Sequence, residues 1–307
     1  MIAFFKKRPY IFFLLPGFIL YSIFVIYPIF AAINISFFEW NGIGEKVFVG
    51  LGNYIELFTN PELMSQMTNA LGHSFTLFVL TVLLQIPIQI IMAYMIYIKS
   101  KGKNFFQVAI FSPQFISTPI IVFIFTLLFD GNIGLFNRIL ELIGLGHLTR
   151  SWLGIPELGI YIVWIMITWA GIGVGMVYFI GAMKMISFDE IESAYLEGAG
   201  VWRRLYYIVI PQIKSTILNL VLAAYIFGMT IFDFSYILGG ISGGINRNVD
   251  VMSLFFYRMA FGDQNPLGGR VNENSMGMGT TIAVVLFLML FIVAIFQISL
   301  MYRKEED

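Results

Sequence analysis

Residues 187–211 read SFDEIESAYLEGAGVWRRLYYIVIP, a polar segment punctuated by glycine in a chain that is otherwise mostly apolar. Long apolar runs precede and follow it. A polar island between two such runs indicates a loop that joins two membrane-spanning helices. Its charged residues are Asp189, Glu190, Glu192, Glu197, Arg203 and Arg204.

The composition of the whole chain favours a protein that crosses a membrane several times. Of its 307 residues, 59% are hydrophobic and 12% are charged, and the mean hydropathy is +0.85. A soluble domain carries about 25% charged residues. The net charge of zero gives no general attraction to nucleic acid, so we expect membrane lipid and no nucleic acid among the partners. Without cysteine, and with only His73 and His147, a metal site is not expected.

Hydropathy predicts an all-α polytopic fold with six transmembrane helices. A span needs about 20 mostly apolar residues to cross about 30 Å of hydrocarbon. Runs of this kind lie at 10–36, 74–98, 105–129, 158–183, 213–238 and 277–302. We expect the intervening 41–59 and 130–156 segments to form ordered caps, and 251–261 to form a short amphipathic helix at the surface.

Basic residues predict the orientation of these spans. Twelve lie at the termini or after even-numbered spans: Lys6, Lys7, Arg8, Lys99, Lys101, Lys103, Lys184, Arg203, Arg204, Lys214, Arg303 and Lys304. Six lie in the alternate loops: Lys46, Arg138, Arg150, Arg247, Arg258 and Arg270. The positive-inside rule therefore predicts that both termini are cytoplasmic, and that 187–211 is a cytoplasmic loop between helices 4 and 5.

The 187–211 loop is predicted to contain two short helices. Ser187 and Glu190 have the spacing of a capping box at a helix start. Gly198 and Gly200 end this helix, and a second apolar-periodic run follows before Pro211. From the residues alone, the loop could equally be an amphipathic segment lying at the membrane interface.

Two features inside the spans each have two interpretations. Asp233 is an acidic residue within span five, where it could either pack helices by a hydrogen bond or line a solute path. Span four contains Gly171, Gly173 and Gly175. Small residues at this spacing let helices approach closely, but they could also leave room for a solute.

The polar loop also resembles a known motif. Glu192-Ser193-Ala194, then Glu197-Gly198-Ala199, and finally Pro211 resemble the EAA motif of permease subunits of ATP-binding-cassette importers. Ser193 and Glu197 depart conservatively from the usual Ala and Asp. The segments 14–40, 48–58 and 231–244 resemble the maltose- and glycerol-phosphate-type permeases, so the resemblance covers nearly the whole chain.

The resemblance implies a single transmembrane domain, 1–307, in an importer of sugar or oligosaccharide in a bacterial plasma (inner) membrane. It implies as partners a second, homologous permease subunit, two ATPase subunits and an extracytoplasmic solute-binding protein. The chain lacks the phosphate-binding pattern G-x-x-x-x-G-K-[ST]. We therefore expect no enzyme activity and no cofactor in this chain, with ATP and Mg bound by the partner ATPase subunits.

The resemblance also implies two sets of site residues. The residues expected to couple the chain to the ATPase are Glu192, Ala194, Glu197, Gly198 and Ala199. In maltose-type relatives, solute contacts come from spans four and five, and matching positions are Ile167, Gly171, Val174, Phe227, Gly228 and Ile231. Several of these are apolar or glycine here, so Phe232, Asp233 and Tyr236 are added as aromatic and polar candidates.

Two rival functions belong to other classes. A secondary transporter or channel needs no ATPase, but such proteins usually carry several charged groups near the middle of the membrane, where this chain offers Asp233. An intramembrane protease is suggested by Gly240–Gly244, which matches G-x-S-x-G around Ser242. That motif needs a strand–turn–helix context, so a glycine loop is the simpler interpretation.

Overall fold

The computed structural model describes residues 9–98, 102–262 and 274–302, most of which are helical. The helices are α1 (Pro9–Tyr21), α2 (Tyr27–Ile35), α3 (Gly52–Thr59), α4 (Pro61–Leu80), α5 (Ile86–Tyr97), α6 (Lys103–Phe111), α7 (Thr118–Leu128), α8 (Leu135–Leu142), α9 (Gly159–Met183), α10 (Phe188–Leu196), α11 (Val201–Arg204), α12 (Ile210–Gln212), α13 (Lys214–Thr230), α14 (Asp233–Gly239), α15 (Met252–Phe261) and α16 (Ser275–Tyr302). Short π-helical turns lie at Ser22–Ile26, Thr81–Gln85 and Leu205–Val209, and 3-10 turns at Ser112–Phe115, Gly146–Leu148, Trp152–Gly154, Pro156–Leu158 and Ile245–Arg247. Strands β1 (Phe38–Glu39) and β2 (Val47–Phe48) pair antiparallel.

Within the described ranges, five helices are long and apolar enough to cross a membrane, or six if one bent pair is a single span. The predicted spans 10–36, 158–183 and 277–302 correspond to Phe13–Ile35, Pro156–Met183 and Ser275–Ser299. Some basic residues used for the orientation lie outside the described ranges: Lys6, Lys7, Arg8, Lys99, Lys101, Arg270, Arg303 and Lys304.

The predicted start of span two was wrong, and span five, predicted at 213–238 and found at Lys214–Gly239, contains a break. The helix that contains 74–98 begins at Pro61, because Asn60 Oδ1 accepts the backbone N–H of Glu62 and starts the helix before the apolar run. The run 213–238 is divided at Ile231 and Phe232, which separate α13 from α14. Hydropathy reports apolar length and is insensitive to both caps and breaks.

The predicted span 105–129 is also bent. Helices Lys103–Phe115 and Thr118–Leu128 meet at 101°. Ile116 and Ser117 adopt extended backbone between them. Pro119 lies in the first turn of the second helix, where its missing N–H leaves no helical hydrogen bond unmade. The bend brings backbone and polar side chains into the middle of the apolar segment.

Each π-helical turn ends two residues before a proline, namely Pro28, Pro87 or Pro211. Proline lacks an N–H and its ring clashes with the carbonyl four residues back in an α-helix. The residue before each proline donates its N–H to the carbonyl five residues back, for example Ile86 to Thr81. The wider turn lets these helices continue past proline.

The structure divides into two compact units. The first comprises the described parts of 1–65 and 256–288, and buried Asn53 organises it. Asn53 Nδ2 donates to the carbonyls of Ser36 and Phe38, each at 2.9 Å, and its Oδ1 accepts from Asn274 Nδ2 at 2.7 Å. One amide therefore ties the end of α2, the β-hairpin and the start of α16 together.

The second unit comprises the described parts of 66–255 and 289–307, and α9 passes through both of its apolar cores. The first half of α9 packs in one core with α7, α14 and the start of α15, through residues such as Met166 and Leu254. Its second half packs in the other with α5, α10 and the turn before α12, through residues such as Phe179 and Val209. Helix α9 therefore fixes the helices of this unit around itself.

The 130–156 segment forms the predicted ordered cap around Asn137, which is buried. Its Nδ2 donates to the carbonyls of Gly131 and Arg150, both at 3.0 Å, and its Oδ1 accepts from Trp152 Nε1 at 2.7 Å. The backbone N–H groups of Ile133 and Asn132 donate to Asp130 and lower the pKa of its carboxyl.

The 251–261 segment is helical as predicted, but it was wrong to place it at the surface. Val251, Met252, Leu254 and Phe255 are fully buried. The apolar residues at its start therefore pack inside the protein, whereas Phe261 at its end is exposed.

Candidate functional site

A cavity of about 460 Å³ lies in the second unit, lined by residues of α5, α7, α9, α13 and α14 and by the turns before α5 and α7. Its polar lining residues are Thr81, Gln85, Gln89, Gln114 and Thr118. Phe227 and Phe234 add aromatic rings, and the remaining lining is aliphatic or glycine. An apolar cavity with a few convergent polar groups is the usual form of a small-molecule site.

The structure brings part of the predicted solute path to this cavity. Ile167, Gly171, Val174 and Phe227 all line it. Phe227 is 47% exposed, so much of its ring is accessible. Residues of spans four and five therefore meet at this cavity.

The other predicted path residues lie elsewhere in the unit. A Cβ on Gly228 would lie 3.2 Å from the Ser74 carbonyl, so Gly228 packs against α4. Ile231 is buried in the apolar core of α7 and α9. Phe232 and Tyr236 stack on each other, with centroids 4.9 Å apart, and Asp233 is exposed as the first residue of α14. None of these five residues is in the cavity lining.

The break in span five explains that separation. Ile231 has an extended backbone, and its carbonyl accepts a 2.7 Å hydrogen bond from Ser253 Oγ. A gapless helix would have placed 227, 231 and 234 on one face. The break ends this periodicity after Phe227, and Phe234 returns to the lining while Ile231 does not.

Gln85 and Gln89 are cavity residues that were not predicted. Thr168 Oγ1 donates to Gln85 Oε1 at 3.1 Å, and Gln89 Nε2 donates to the Gly171 carbonyl at 3.5 Å. Both side chains are buried. An amide in an apolar run is a weaker signal than a charge, but the i, i+4 spacing of these two places them on one helix face.

The three glycines of α9 serve different purposes. Gly171 lines the cavity. A Cβ on Gly173 would lie 2.6 Å from Ile110 O and from Phe111 Cα, and one on Gly175 would lie 2.4 Å from Gln89 Oε1. Both interpretations of the glycines in span four therefore hold. Gly173 lets two helices approach closely, and Gly171 leaves open space at the cavity.

The 187–211 segment forms the predicted helix–glycine–helix arrangement. Helix α10 ends at a left-handed Gly198, with φ of +83°. Ala199 N–H donates to Ala194 O at 2.9 Å and Gly198 N–H to Tyr195 O at 3.0 Å, which is a Schellman motif. Glycine suits this position because a Cβ is disfavoured at positive φ.

The predicted capping box is absent from this helix start. Ser187 is at the N-cap with φ of −59° and ψ of 127°, but its side chain makes no capping hydrogen bond. Glu190 instead accepts a hydrogen bond from Gln212 Nε2. The carboxylate is therefore committed to a residue 22 positions later, and it ties α10 to α12.

The apolar residues of α10 are divided between a buried and an exposed side. Ile191 is buried in the core of α5 and α9, so it holds α10 on its own chain. Tyr195 and Leu196 are 63% and 79% exposed. Glu192 and Glu197 are also exposed, so the outward surface is acidic and apolar together.

Arg204 stabilises the position of α10 from the second helix. Its guanidinium carbon lies 5.1 Å from the centre of the Tyr195 ring, the geometry of a cation–π contact. Arg204 belongs to α11, beyond the Gly198 turn. The contact therefore joins the two helices across the glycines.

We expect Arg204→Lys to loosen α10, because a lysine keeps the charge but loses the flat guanidinium that stacks on Tyr195. A contact worth about 0.5–1 kcal/mol corresponds to about two- to fivefold faster hydrogen exchange of the α10 amides. Exchange of the purified chain measured by mass spectrometry checks this. Exposed Arg203→Lys is the matched control, and equal rates in both variants would contradict the stacking role.

The G-x-S-x-G match lacks a hydrolase context. Ser242 is exposed in a turn, and its Oγ donates to Gly239 O at 3.4 Å. His73 Nδ1 lies 2.8 Å from Asp250 O, a backbone carbonyl. The segment is therefore a glycine turn, as interpreted above.

Apolar spans around a cavity with polar lining, together with an exposed acidic helix, fit an integral membrane permease component. The chain belongs to the family of binding-protein-dependent transport system inner membrane components, which matches residues 85–303.

Relatives along the full length agree. The chain is 30% identical to the probable ABC transporter permease protein YurN of Bacillus subtilis (strain 168), over 98% of each chain. It is 28% identical to the multiple sugar-binding transport system permease protein MsmF of Streptococcus mutans serotype c, over 95% of each. It is 26% identical to the arabinooligosaccharides transport system permease protein AraP of Bacillus subtilis (strain 168), over 96% of this chain and 88% of the relative.

Solved structures show the same fold. A chain of a bacterial alginate ABC transporter, in complex with an alginate pentasaccharide-bound periplasmic protein, aligns with a TM-score of 0.78 at 22% identity. The alignment covers 96% of this chain and 94% of that one. The helical architecture of this chain is therefore that of an ABC transporter membrane subunit.

Proposed function

We propose that this chain is a channel subunit of an ATP-driven importer that moves a sugar or oligosaccharide, delivered by an extracytoplasmic binding protein, into the cell. The observation that carries the proposal is the cavity of about 460 Å³, which offers glutamine amides beside an accessible Phe227 ring. Amides pair with hydroxyl groups, and an aromatic face packs on the apolar face of a sugar ring. Relatives named for arabinooligosaccharide and multiple-sugar transport support the same substrate class.

The proposed assembly follows the family pattern. The chain forms a single transmembrane domain, 1–307, with both termini cytoplasmic. It has six spans, because the two bent helices of the third span count as one. It sits in a bacterial plasma membrane beside a second homologous permease subunit. Two ATPase subunits bind the ATP and Mg and perform the hydrolysis, since this chain has no P-loop pattern.

The 187–211 segment is proposed as the coupling loop, with Glu192, Ala194, Glu197, Gly198 and Ala199 at the ATPase surface. The exposure of Glu192, Glu197 and Gly198 supports this role. Ile191, buried in its own chain, anchors the helix so that a movement of the ATPase is passed to α5 and α9. A rigid docked helix can transmit displacement, whereas a floating interfacial helix cannot.

We expect Phe227→Ala to lower ATP-dependent uptake by about tenfold, because the loss of one ring face removes about 1 kcal/mol or more of contact with the sugar. Asp233→Ala tests the polar candidate outside the cavity lining. Uptake of labelled oligosaccharide by the complete transporter in proteoliposomes measures both. Normal transport in both variants would remove this site.

The control for Phe227 is Phe123→Ala, which changes an exposed phenylalanine of α7 that does not line the cavity. It should transport normally.

The same uptake assay distinguishes the rival function. A secondary transporter or channel would continue uptake when the ATPase subunits are omitted, and the proposed importer would not.

A further inference from the structure

The few polar groups in the cavity lining carry no charge. Among the described residues that line it, the polar ones are glutamines and threonines, and none is ionisable. A glutamine amide has donors and an acceptor, and a threonine hydroxyl has both as well. This lining matches sugar hydroxyls, which also donate and accept.

An acidic sugar would meet a poor environment in the same cavity. A carboxylate that leaves water needs a cationic partner or several strong donors to offset its lost hydration. The N-terminal end of α7, at Thr118, provides a partial positive charge, but this is weaker than a lysine or arginine. Asp233, next to the lining residue Phe234, has the same sign as a uronate.

We propose that this cavity selects uncharged oligosaccharides over uronates, with Gln85 and Gln89 as the groups that bind solute hydroxyls. This inference rests on the proposed import of sugars and narrows its substrate class. Relatives do not decide the point, because they include transporters of arabinooligosaccharides and of the acidic polysaccharide alginate.

The two glutamines are held ready for this role. Thr168 fixes Gln85 by its Oε1, and the Gly171 carbonyl fixes Gln89 by its Nε2. The close approach of Gly175 leaves Gln89 little freedom to rotate. Groups already held in place lose less entropy when they bind a solute.

The test uses the complete transporter in proteoliposomes with pairs of trisaccharides that differ only at C6, such as β-1,4-mannotriose and β-1,4-trimannuronate, with gluco and galacto pairs added. In each pair that is transported, we expect the neutral member to enter at least about tenfold faster. Equal or faster uptake of the uronate would overturn neutral selectivity and leave sugar import standing. Failure of every sugar in every pair would instead contradict the proposed function.

Selection by the cavity has to be distinguished from selection by the binding protein. The affinity of the binding protein for each trisaccharide is therefore measured separately, and the variants change only the cavity. Gln85→Met keeps the size but loses the hydrogen bonds, and should lower neutral uptake about tenfold. Gln114→Arg places a cation at an exposed lining position, where folding is least affected, and should raise the ratio of uronate to neutral uptake. An unchanged ratio in Gln114→Arg, with normal protein levels, would overturn the proposal.

Discussion

Gly173→Ala is expected to destabilise the chain by about 1–3 kcal/mol, the usual cost of overpacking a close contact. The added Cβ would lie 2.6 Å from two backbone atoms, Ile110 O and Phe111 Cα. A flexible side chain could move away, but these are backbone atoms of the last turn of α6, the first half of the bent third span. The methyl group therefore has to push apart α9 and the segment that precedes the cavity.

Thermal unfolding of the purified chain in detergent measures this effect. The matched control is Gly181→Ala on the same helix, where a Cβ would meet nothing within 4 Å. Alanine is the better helix former, so that control should be neutral or slightly stabilising. Equal unfolding temperatures for the two variants would show that the approach of α9 to Ile110 does not matter for stability.

Gly198→Asp is expected to lower ATP-dependent uptake more than about tenfold, with a small effect on the stability of the isolated chain. No atom of the described residues lies within 4 Å of a Cβ at Gly198, and the position has φ of +83°. Aspartate and asparagine tolerate this backbone better than other non-glycine residues. A large functional loss would therefore come from the docking partner and not from strain.

Two further variants separate the effect of the charge from the effect of adding a side chain. Gly198→Asn has the same shape without the charge, so the difference between Asp and Asn reports electrostatics at the ATPase surface. Gly200→Ala adds a methyl group at a glycine with φ of −63°, also with nothing within 4 Å, and should be tolerated. If Gly198→Asp left ATPase assembly and uptake intact, the assignment of α10 as the coupling helix would be wrong.

The two differences between the predicted and the observed spans have the same cause. Hydropathy located the apolar runs, but it could not place the start of α4 at Pro61 or the break at Ile231. The first depends on the Asn60 cap and the second on an extended residue held by Ser253. Both are set by individual hydrogen bonds, which average hydrophobicity does not contain.

The candidate cavity illustrates the same limit. The matching to maltose-type relatives reached the cavity residues Ile167, Gly171, Val174 and Phe227, because these lie in unbroken α9 or precede the break in span five. It failed beyond Phe227, where helical periodicity stops. Gln85 and Gln89 were overlooked because amides interrupt an apolar run less visibly than charges.

The sequence by itself determined the class of this protein. Its apolar runs require helices that satisfy their own backbone, and the spacing of Glu192, Gly198 and Pro211 identified the polar loop between two of them. Only the tertiary structure decided which residues share a cavity, which face of α10 is free, and which glycine of α9 meets a backbone. These outcomes depend on contacts between helices far apart in the chain, whereas local periodicity specifies only the face that each helix buries.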